Sequence, residues 1–158
     1  MIYLLCLSEL AGVTALFFAV ARGGFRAFGL TQRVLVALVA LPLIVSGIAH
    51  LVVTGSMARM VPPVFPVLTL LVRTLLVVVT GLLELAGAVG LFMQRTRRIA
   101  SVCIALLMIA VFPANIYVAG QTVLGMRMPG VALRLLMQMI YIVLVLAAGW
   151  GLPILRSQ

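Results

Sequence analysis

The chain has 158 residues, of which 66% are hydrophobic and only 8% charged, and its formal net charge is +9. This composition lies far outside the range of soluble globular domains and predicts a membrane protein. The basic excess does not indicate nucleic-acid binding, because the arginines form no clustered basic face and no lysine-rich tail is present. Anionic lipid headgroups are therefore the expected partner of these arginines.

Five apolar runs of membrane-spanning length follow one another along the chain. They cover residues 1–21, 34–54, 67–93, 99–119 and 133–152. A helix crosses a ~30 Å hydrocarbon core with about 20 apolar residues, whereas the strands of a membrane barrel have only about 10. Backbone polar groups in lipid must also be satisfied within each segment. The sequence therefore predicts an all-α fold, a polytopic membrane helical bundle.

The first run has some features of a cleaved signal peptide. Ala19, Val20 and Ala21 precede Arg22 in the pattern of a signal-peptidase site. The run lacks the basic segment that such a peptide needs at its start, and Glu9 interrupts it. We therefore expect residues 1–21 to be retained as an N-terminal transmembrane helix.

The arginines between the runs predict the orientation. Seven of them would share one side of the membrane: Arg22, Arg26, Arg33, Arg95, Arg97, Arg98 and Arg156. Arg59, Arg127 and Arg134 belong to the other side, with Arg73 close to it inside the third run. Short loops rich in arginine stay in the cytoplasm. This predicts a cell-membrane protein with its N-terminus outside and residues 153–158 as a cytoplasmic tail.

Five short segments in the middle of the chain form a recognisable pattern. They are Ser46-Gly47-Ile48-Ala49-His50, Met60-Val61-Pro62-Pro63, Glu84-Leu85-Ala86-Gly87 with Gly90-Leu91, Arg95-Thr96-Arg97-Arg98 and Phe112-Pro113-Ala114-Asn115-Ile116-Tyr117. In order and spacing they resemble the DoxX family of small membrane proteins over residues 33–152. The resemblance implies a DoxX-type four-helix membrane bundle, to which the first run adds a helix.

The resemblance also implies a range of functions. Named members of the DoxX family are linked to thiosulfate oxidation that feeds quinone, and relatives are linked to thiol redox or detoxification in the cell envelope. A quinone is therefore the ligand that the resemblance suggests. The motif positions that would carry a family role are His50, Glu84 and Asn115.

Glu84 is the clearest candidate site on physical grounds, because an ionisable group inside a transmembrane segment is costly. Thr80, Gly81, Gly87 and Ala88 lie one turn away on either side, so the helix face around Glu84 is otherwise small. Such a face lets another helix approach closely. Two interpretations remain open: an interhelical hydrogen bond from a protonated carboxyl, and a role in proton handling or ligand binding.

Arg73 lies eleven residues before Glu84 on the same predicted helix. Three helical turns separate the two by about 16 Å along one face, so they cannot pair directly. Arg73 is expected to extend its side chain toward the outer interface. The alternative is a positive charge at the mouth of a cavity.

Polar residues of three further runs lie toward the same outer side. They are His50 near the end of the second run, Asn115 near the end of the fourth, and Arg134, Gln138 and Tyr141 at helical spacing in the fifth. Together they predict a polar patch in the outer half of the bundle, with Glu84 beneath it. For each residue alone, packing or interfacial anchoring is the competing interpretation.

Prolines mark two irregular segments. Residues 55–66 contain Pro62, Pro63 and Pro66 and are expected to form an outer loop lying against the bundle. Pro113 removes a backbone donor, so it predicts a kink in the fourth run, where Asn115 could supply the missing donor.

Cysteine and metal chemistry find little support in the sequence. Cys6 and Cys103 lie in separate runs, at opposite leaflets, so a dithiol reaction is not expected and both thiols should be buried and inert. One histidine, two glutamates and no aspartate do not suffice for an ordinary metal site.

Three hypotheses about function follow. In the first, a redox-linked protein holds a quinone or another small lipophilic molecule between its helices, and His50 and Glu84 exchange protons. This hypothesis requires a pocket that opens laterally in the outer half. In the second, a non-enzymatic subunit anchors a larger membrane complex, and its core has no cavity. In the third, a small carrier or channel works as a homo-oligomer. The sequence leaves open whether the protein is an enzyme.

Overall fold

The computed structural model describes residues 28–63, 69–123 and 125–150. These residues form helices α1 (Phe28–Val52), α2 (Thr54–Ala58), α3 (Leu70–Phe92), α4 (Arg97–Tyr117) and α5 (Val131–Trp150), with strands β1 (Thr122–Val123) and β2 (Met126–Arg127). Four of the helices are long and apolar enough to cross a membrane. The predicted all-α, multi-pass membrane bundle is thus confirmed. The predicted first span and the predicted tail lie outside the described residues.

The long helices match four predicted runs closely at most of their ends. Only the start of α1 departs clearly, since it begins at Phe28, six residues before the predicted run. The polar residue Gln32 is accommodated there because its side-chain amide donates to the carbonyl of Ala148 in α5. A polar residue at a helix end can thus remain helical when a neighbouring helix offers it a hydrogen-bond acceptor.

The four long helices pack in the cyclic order α1, α3, α4, α5. Their largest apolar cluster lies at the end where residues 93–96 connect α3 to α4, which we call the connection end. It includes Leu35 and Val36 of α1, Leu91 of α3, Ile104 of α4 and Val145 of α5. We call the opposite end, which carries α2 and the two strands, the hairpin end.

Side chains at the connection end also bind the backbone where α3 ends. The Thr96 hydroxyl donates to the Gly90 carbonyl at 3.0 Å, and Arg97 Nε donates to the Leu91 carbonyl at 2.8 Å. Both bonds satisfy carbonyls in the last turn of α3, which have no partner within the helix. The turn into α4 is therefore tightly held.

Small residues allow the helices to approach closely. A Cβ atom added to Gly81 of α3 would lie 2.7 Å from His50 Cβ and 3.0 Å from the Gly47 carbonyl oxygen of α1. A Cβ on Gly90 would lie 2.8 Å from Ala100 Cβ of α4. Close backbone approach of this kind drives helix association in lipid, where apolar burial gives little gain.

The predicted loop at residues 55–66 is partly wrong, because its first residues belong to α2. Met57 and Ala58 of this short helix are buried and pack in one cluster with Ala49 of α1 and Val77 of α3. The Thr54 hydroxyl donates to the His50 carbonyl at 2.7 Å, at the end of α1. Burial of apolar side chains against α3 thus overrides the loop preference of Gly55.

A small hairpin joins α4 to α5. Strand β1 pairs antiparallel with β2, with Thr122 opposite Arg127. Gly125 in its turn has a φ of 77°, which a residue without Cβ adopts readily. The Met128 amide donates to the Gln121 carbonyl at 2.8 Å, and the buried Met128 side chain faces the bundle. The hairpin therefore closes the bundle at this end.

Candidate functional site

A cavity of about 590 Å³ occupies the half of the bundle toward the hairpin end. All four long helices and α2 contribute to its walls. Its volume falls within the ~300–1,000 Å³ that is usual for pockets that bind small molecules. Most of its wall is apolar, with polar side chains at a few positions, which is the usual composition of a ligand site.

The exposed part of the cavity lining lies on α3 and α4, and we take this side as the mouth of the cavity. Among the lining residues, those that are also exposed are Leu76, Val79 and Leu83 of α3 and Ala110 and Pro113 of α4. All five are apolar and lie within predicted spans. In a bilayer, an apolar rim at this position faces lipid tails.

His50 and Glu84 form the first polar wall. His50 Nδ1 lies 3.3 Å from Glu84 Oε2, and only 5% of the Glu84 side chain is exposed. The same Nδ1 lies 2.8 Å from the Ser46 carbonyl oxygen, one turn earlier in α1. Since a carbonyl can only accept, this contact is a hydrogen bond in the tautomer that carries a proton on Nδ1, and that N–H group then donates to the Ser46 carbonyl. Oε2 then faces this N–H group without a directed hydrogen bond among the described residues.

The contact between Gly47 and Gly81 explains why these two side chains meet. It places His50 beside Gly81, the middle residue of the 23-residue α3. Glu84 follows one turn later on the same face of α3. The carboxyl of Glu84 thus lies within reach of the imidazole of His50. The position of Glu84 beneath an outer polar patch stays a prediction.

This arrangement is suited to proton exchange. A neutral histidine beside a protonated glutamate, and a charged histidine beside a carboxylate, differ only in the position of one proton. Histidine also changes its charge more readily near neutral pH than any other side chain. A proton can thus be held by either side chain at the same net charge of the pair, and the pair changes its charge by one when it passes a proton to or takes one from a molecule in the cavity.

A chain of hydrogen bonds between α4 and α5 forms the second polar wall. Arg134 Nη1 donates to Asn115 Oδ1 at 3.1 Å, and Asn115 Nδ2 donates to Gln138 Oε1 at 3.1 Å. Gln138 Nε2 in turn donates to the Met108 carbonyl at 2.7 Å. The side chain that donates to the backbone of the turn before Pro113 is thus Gln138, and not Asn115 as the sequence predicts.

Tyr141 links the cavity to α1. Its ring is buried, and its hydroxyl donates to the Val39 carbonyl at 2.7 Å. This bond joins α5 to α1 at the boundary between the cavity and the core cluster. The hydrogen bond to Val39 fits a role of Tyr141 in packing α5 against α1, and its place in the lining fits a role in ligand binding.

Five of the six candidate residues line this one cavity: His50, Glu84, Asn115, Gln138 and Tyr141. Arg73, the sixth, is half-buried in the first turn of α3 and is not part of the lining that the described residues form. Arg134 joins the lining, as its spacing in the fifth run suggested. Sequence reasoning missed the part played by Ser46, although its position four residues before His50 was visible. The assignment of these residues to a functional site stays a prediction.

Cys103 corrects one further expectation. Its side chain is exposed on α4 rather than buried. In a bilayer, this surface faces lipid. Cys6 lies outside the described residues, so the predicted placement of the two thiols at opposite leaflets stays a prediction.

The fold and the cavity define a class of protein: a multi-pass membrane helical bundle with a mainly apolar cavity that carries a few polar side chains. Residues 38–149 match the family described as domain of unknown function (DUF8561), and the chain belongs to this family. The matched region extends from the first half of α1 almost to the end of α5. Neither a curated protein nor a solved structure matches the chain.

Proposed function

We propose that this protein binds a small lipophilic molecule, of which a quinone is one example, within the membrane. The molecule enters between α3 and α4, and His50 and Glu84 exchange protons with its polar head. One observation carries the proposal: a cavity of about 590 Å³ has an apolar mouth toward the lipid and a buried carboxyl on its wall. The function is redox-linked if the bound molecule is a quinone.

The distribution of polarity supports this proposal. A lipophilic tail fits the apolar rim at Leu76, Val79 and Leu83, while a polar head fits the two polar walls. The alternative of a non-enzymatic anchoring subunit requires a core without a cavity. The described bundle contains a cavity, whereas the anchoring subunit would have packed side chains there.

The proposal includes the DoxX-type assignment and the membrane topology. The arginine distribution supports an N-terminus outside and a C-terminus in the cytoplasm of a cell-membrane protein. In that orientation the connection end, with Arg95, Arg97 and Arg98, lies in the cytoplasm. The cavity then lies in the outer half of the bilayer. The first apolar run, residues 1–21, adds a fifth span.

The test is native mass spectrometry of the protein extracted gently from its own membrane. The wild type should carry a small lipophilic molecule. The substitution Leu83→Trp fills the mouth with an indole ring and should reduce the co-purified ligand by about tenfold or more. Leu82→Trp is the matched control, because Leu82 is similarly exposed, at 52% against 50%, but lies outside the lining.

Two results would contradict the proposal. Equal ligand content in Leu83→Trp and Leu82→Trp would show that the molecule binds elsewhere. A stoichiometric protein partner without any small molecule would favour the anchoring subunit, and the polar residues would then serve to hold the bundle together.

A further inference from the structure

The carboxyl of Glu84 points to the chemistry of the ligand head. We propose that the head carries a hydroxyl of phenol or alcohol type and that this hydroxyl donates a hydrogen bond to the Glu84 carboxylate. The inference rests on the proposed function, since it assumes that the cavity binds a lipophilic molecule. It adds which kind of head the site selects.

The first step is that Glu84 has unused capacity to accept hydrogen bonds. Its side chain is 5% exposed and lines the cavity. The nearest donor to Oε2 is His50 Nδ1, at 3.3 Å, which also contacts the Ser46 carbonyl, and Oε2 has no other hydrogen-bond partner among the described residues. Buried polar atoms are nearly always satisfied in proteins. A ligand in the cavity is the natural source of the missing donor.

The second step is that Glu84 offers an acceptor. Because His50 Nδ1 donates to the Ser46 carbonyl, Oε2 faces an N–H group and is not the oxygen that would carry a proton. The permanently charged guanidinium of Arg134 lines the same cavity. A negative Glu84 offsets this positive charge in a low-dielectric site.

The third step concerns which heads fit. A hydroxyl supplies a donor to the carboxylate, and its oxygen can still accept from another group. A head with carbonyl groups alone can only accept, so it would leave the carboxylate without a donor. The site therefore prefers a hydroxyl-bearing lipophile to its ether or carbonyl counterpart. For a quinone, this means that the reduced form, which carries hydroxyls, binds more tightly than the oxidised form.

Two probes of the same shape test this preference: 4-hexylphenol and 4-hexylanisole, in which a methyl group replaces the hydroxyl proton. Their dissociation constants are measured by calorimetry with the full-length protein in nanodiscs. Because the probes partition differently into lipid, the preference is compared between the wild type and Glu84→Leu. A hydrogen bond to a charged acceptor predicts a phenol preference that is about 10- to 100-fold greater in the wild type.

A second variant covers the case in which Glu84→Leu does not fold. Glu84→Gln keeps the side-chain volume and leaves a neutral acceptor, which makes a hydrogen bond of roughly half the strength. It should lose about 3- to 10-fold of the phenol preference.

The outcomes separate this inference from the proposed function. If both probes bind and the preference is the same in wild type and variants, the inference is overturned while the binding function stands. A preference for 4-hexylanisole that is greater in the wild type than in Glu84→Leu would mean that Glu84 acts as a donor, and it would also overturn the inference. If neither probe binds to the wild type, the proposed binding of lipophilic molecules fails, and the inference fails with it.

Discussion

The contact between Gly47 and Gly81 should be required both for the stability of the bundle and for the meeting of His50 with Glu84. The substitution Gly81→Ala tests this. The added Cβ would lie 2.7 Å from His50 Cβ and 3.0 Å from the Gly47 carbonyl oxygen. Optimal separation between carbon atoms is about 3.5–4.0 Å, so α1 and α3 must separate by roughly 1 Å. Neither contacted atom is the free end of a flexible side chain.

Overpacking of this kind costs about 1–3 kcal/mol. Replacing glycine by alanine in a helix also gains about 1 kcal/mol of propensity, which a matched control removes. Gly55→Ala in α2 is that control, because a Cβ there meets nothing within 4 Å. We expect Gly81→Ala to be about 1–3 kcal/mol less stable than Gly55→Ala.

The assay is reversible unfolding by sodium dodecyl sulfate in mixed micelles, followed by circular dichroism. The free energies of unfolding of the two variants are compared directly. If Gly81→Ala is as stable as Gly55→Ala, the close approach of α1 and α3 at this point is not present in the protein. The explanation for the meeting of His50 and Glu84 would then be lost.

Two further predictions concern contacts between helices, and a third concerns the membrane topology. A Cβ on Gly149 would collide with the buried Ser101 side chain, so Gly149→Ala should lower the free energy of unfolding by about 1–3 kcal/mol. In the double variant, Ser101→Gly should restore most of this loss. Additive losses in the same unfolding assay would contradict the prediction. Tyr141→Phe removes the hydrogen bond to the Val39 carbonyl and should lower the free energy of unfolding by about 0.5–1.5 kcal/mol. Tyr117→Phe is the control, because Tyr117 is 37% exposed and its substitution should leave the free energy of unfolding almost unchanged. The topology is tested in a variant without native cysteines, with Gln121→Cys at the hairpin end and Gln94→Cys at the connection end. In intact cells, a membrane-impermeant maleimide should react with Gln121→Cys and not with Gln94→Cys. The reverse pattern would invert the proposed topology.

Much of the fold could be predicted because a bilayer imposes a simple rule on sequence. Apolar runs of sufficient length must become helices, and four of the predicted runs match α1, α3, α4 and α5. The rule says little about segments at the edge of the membrane. The loop predicted around Gly55 proved to contain α2, because burial of Met57 and Ala58 against α3 outweighs local preference. Only tertiary contacts carry that information.

The candidate site was predictable by residue type but not by geometry. His50 and Glu84 are conspicuous because ionisable groups are rare in membrane spans. Their pairing depends on the axial offset between α1 and α3, which the contact of Gly47 with Gly81 sets. Helical periodicity predicts which residues share a face of one helix, but it does not predict how far one helix slides along another.

The cavity itself follows from how side-chain size changes along α3 and α4. Near the connection end the two helices meet through Gly90 and Ala100, and then through Gly87 and Ile104. Farther along, Leu83 of α3 and Leu107 of α4 both line the cavity. We infer that these larger side chains keep the two backbones apart. In lipid, no apolar driving force closes such a gap, because lipid tails cover the separated faces as well as protein would. Small residues at one end and large ones at the other therefore produce a bundle that is packed at its connection end and open to the membrane beside Glu84.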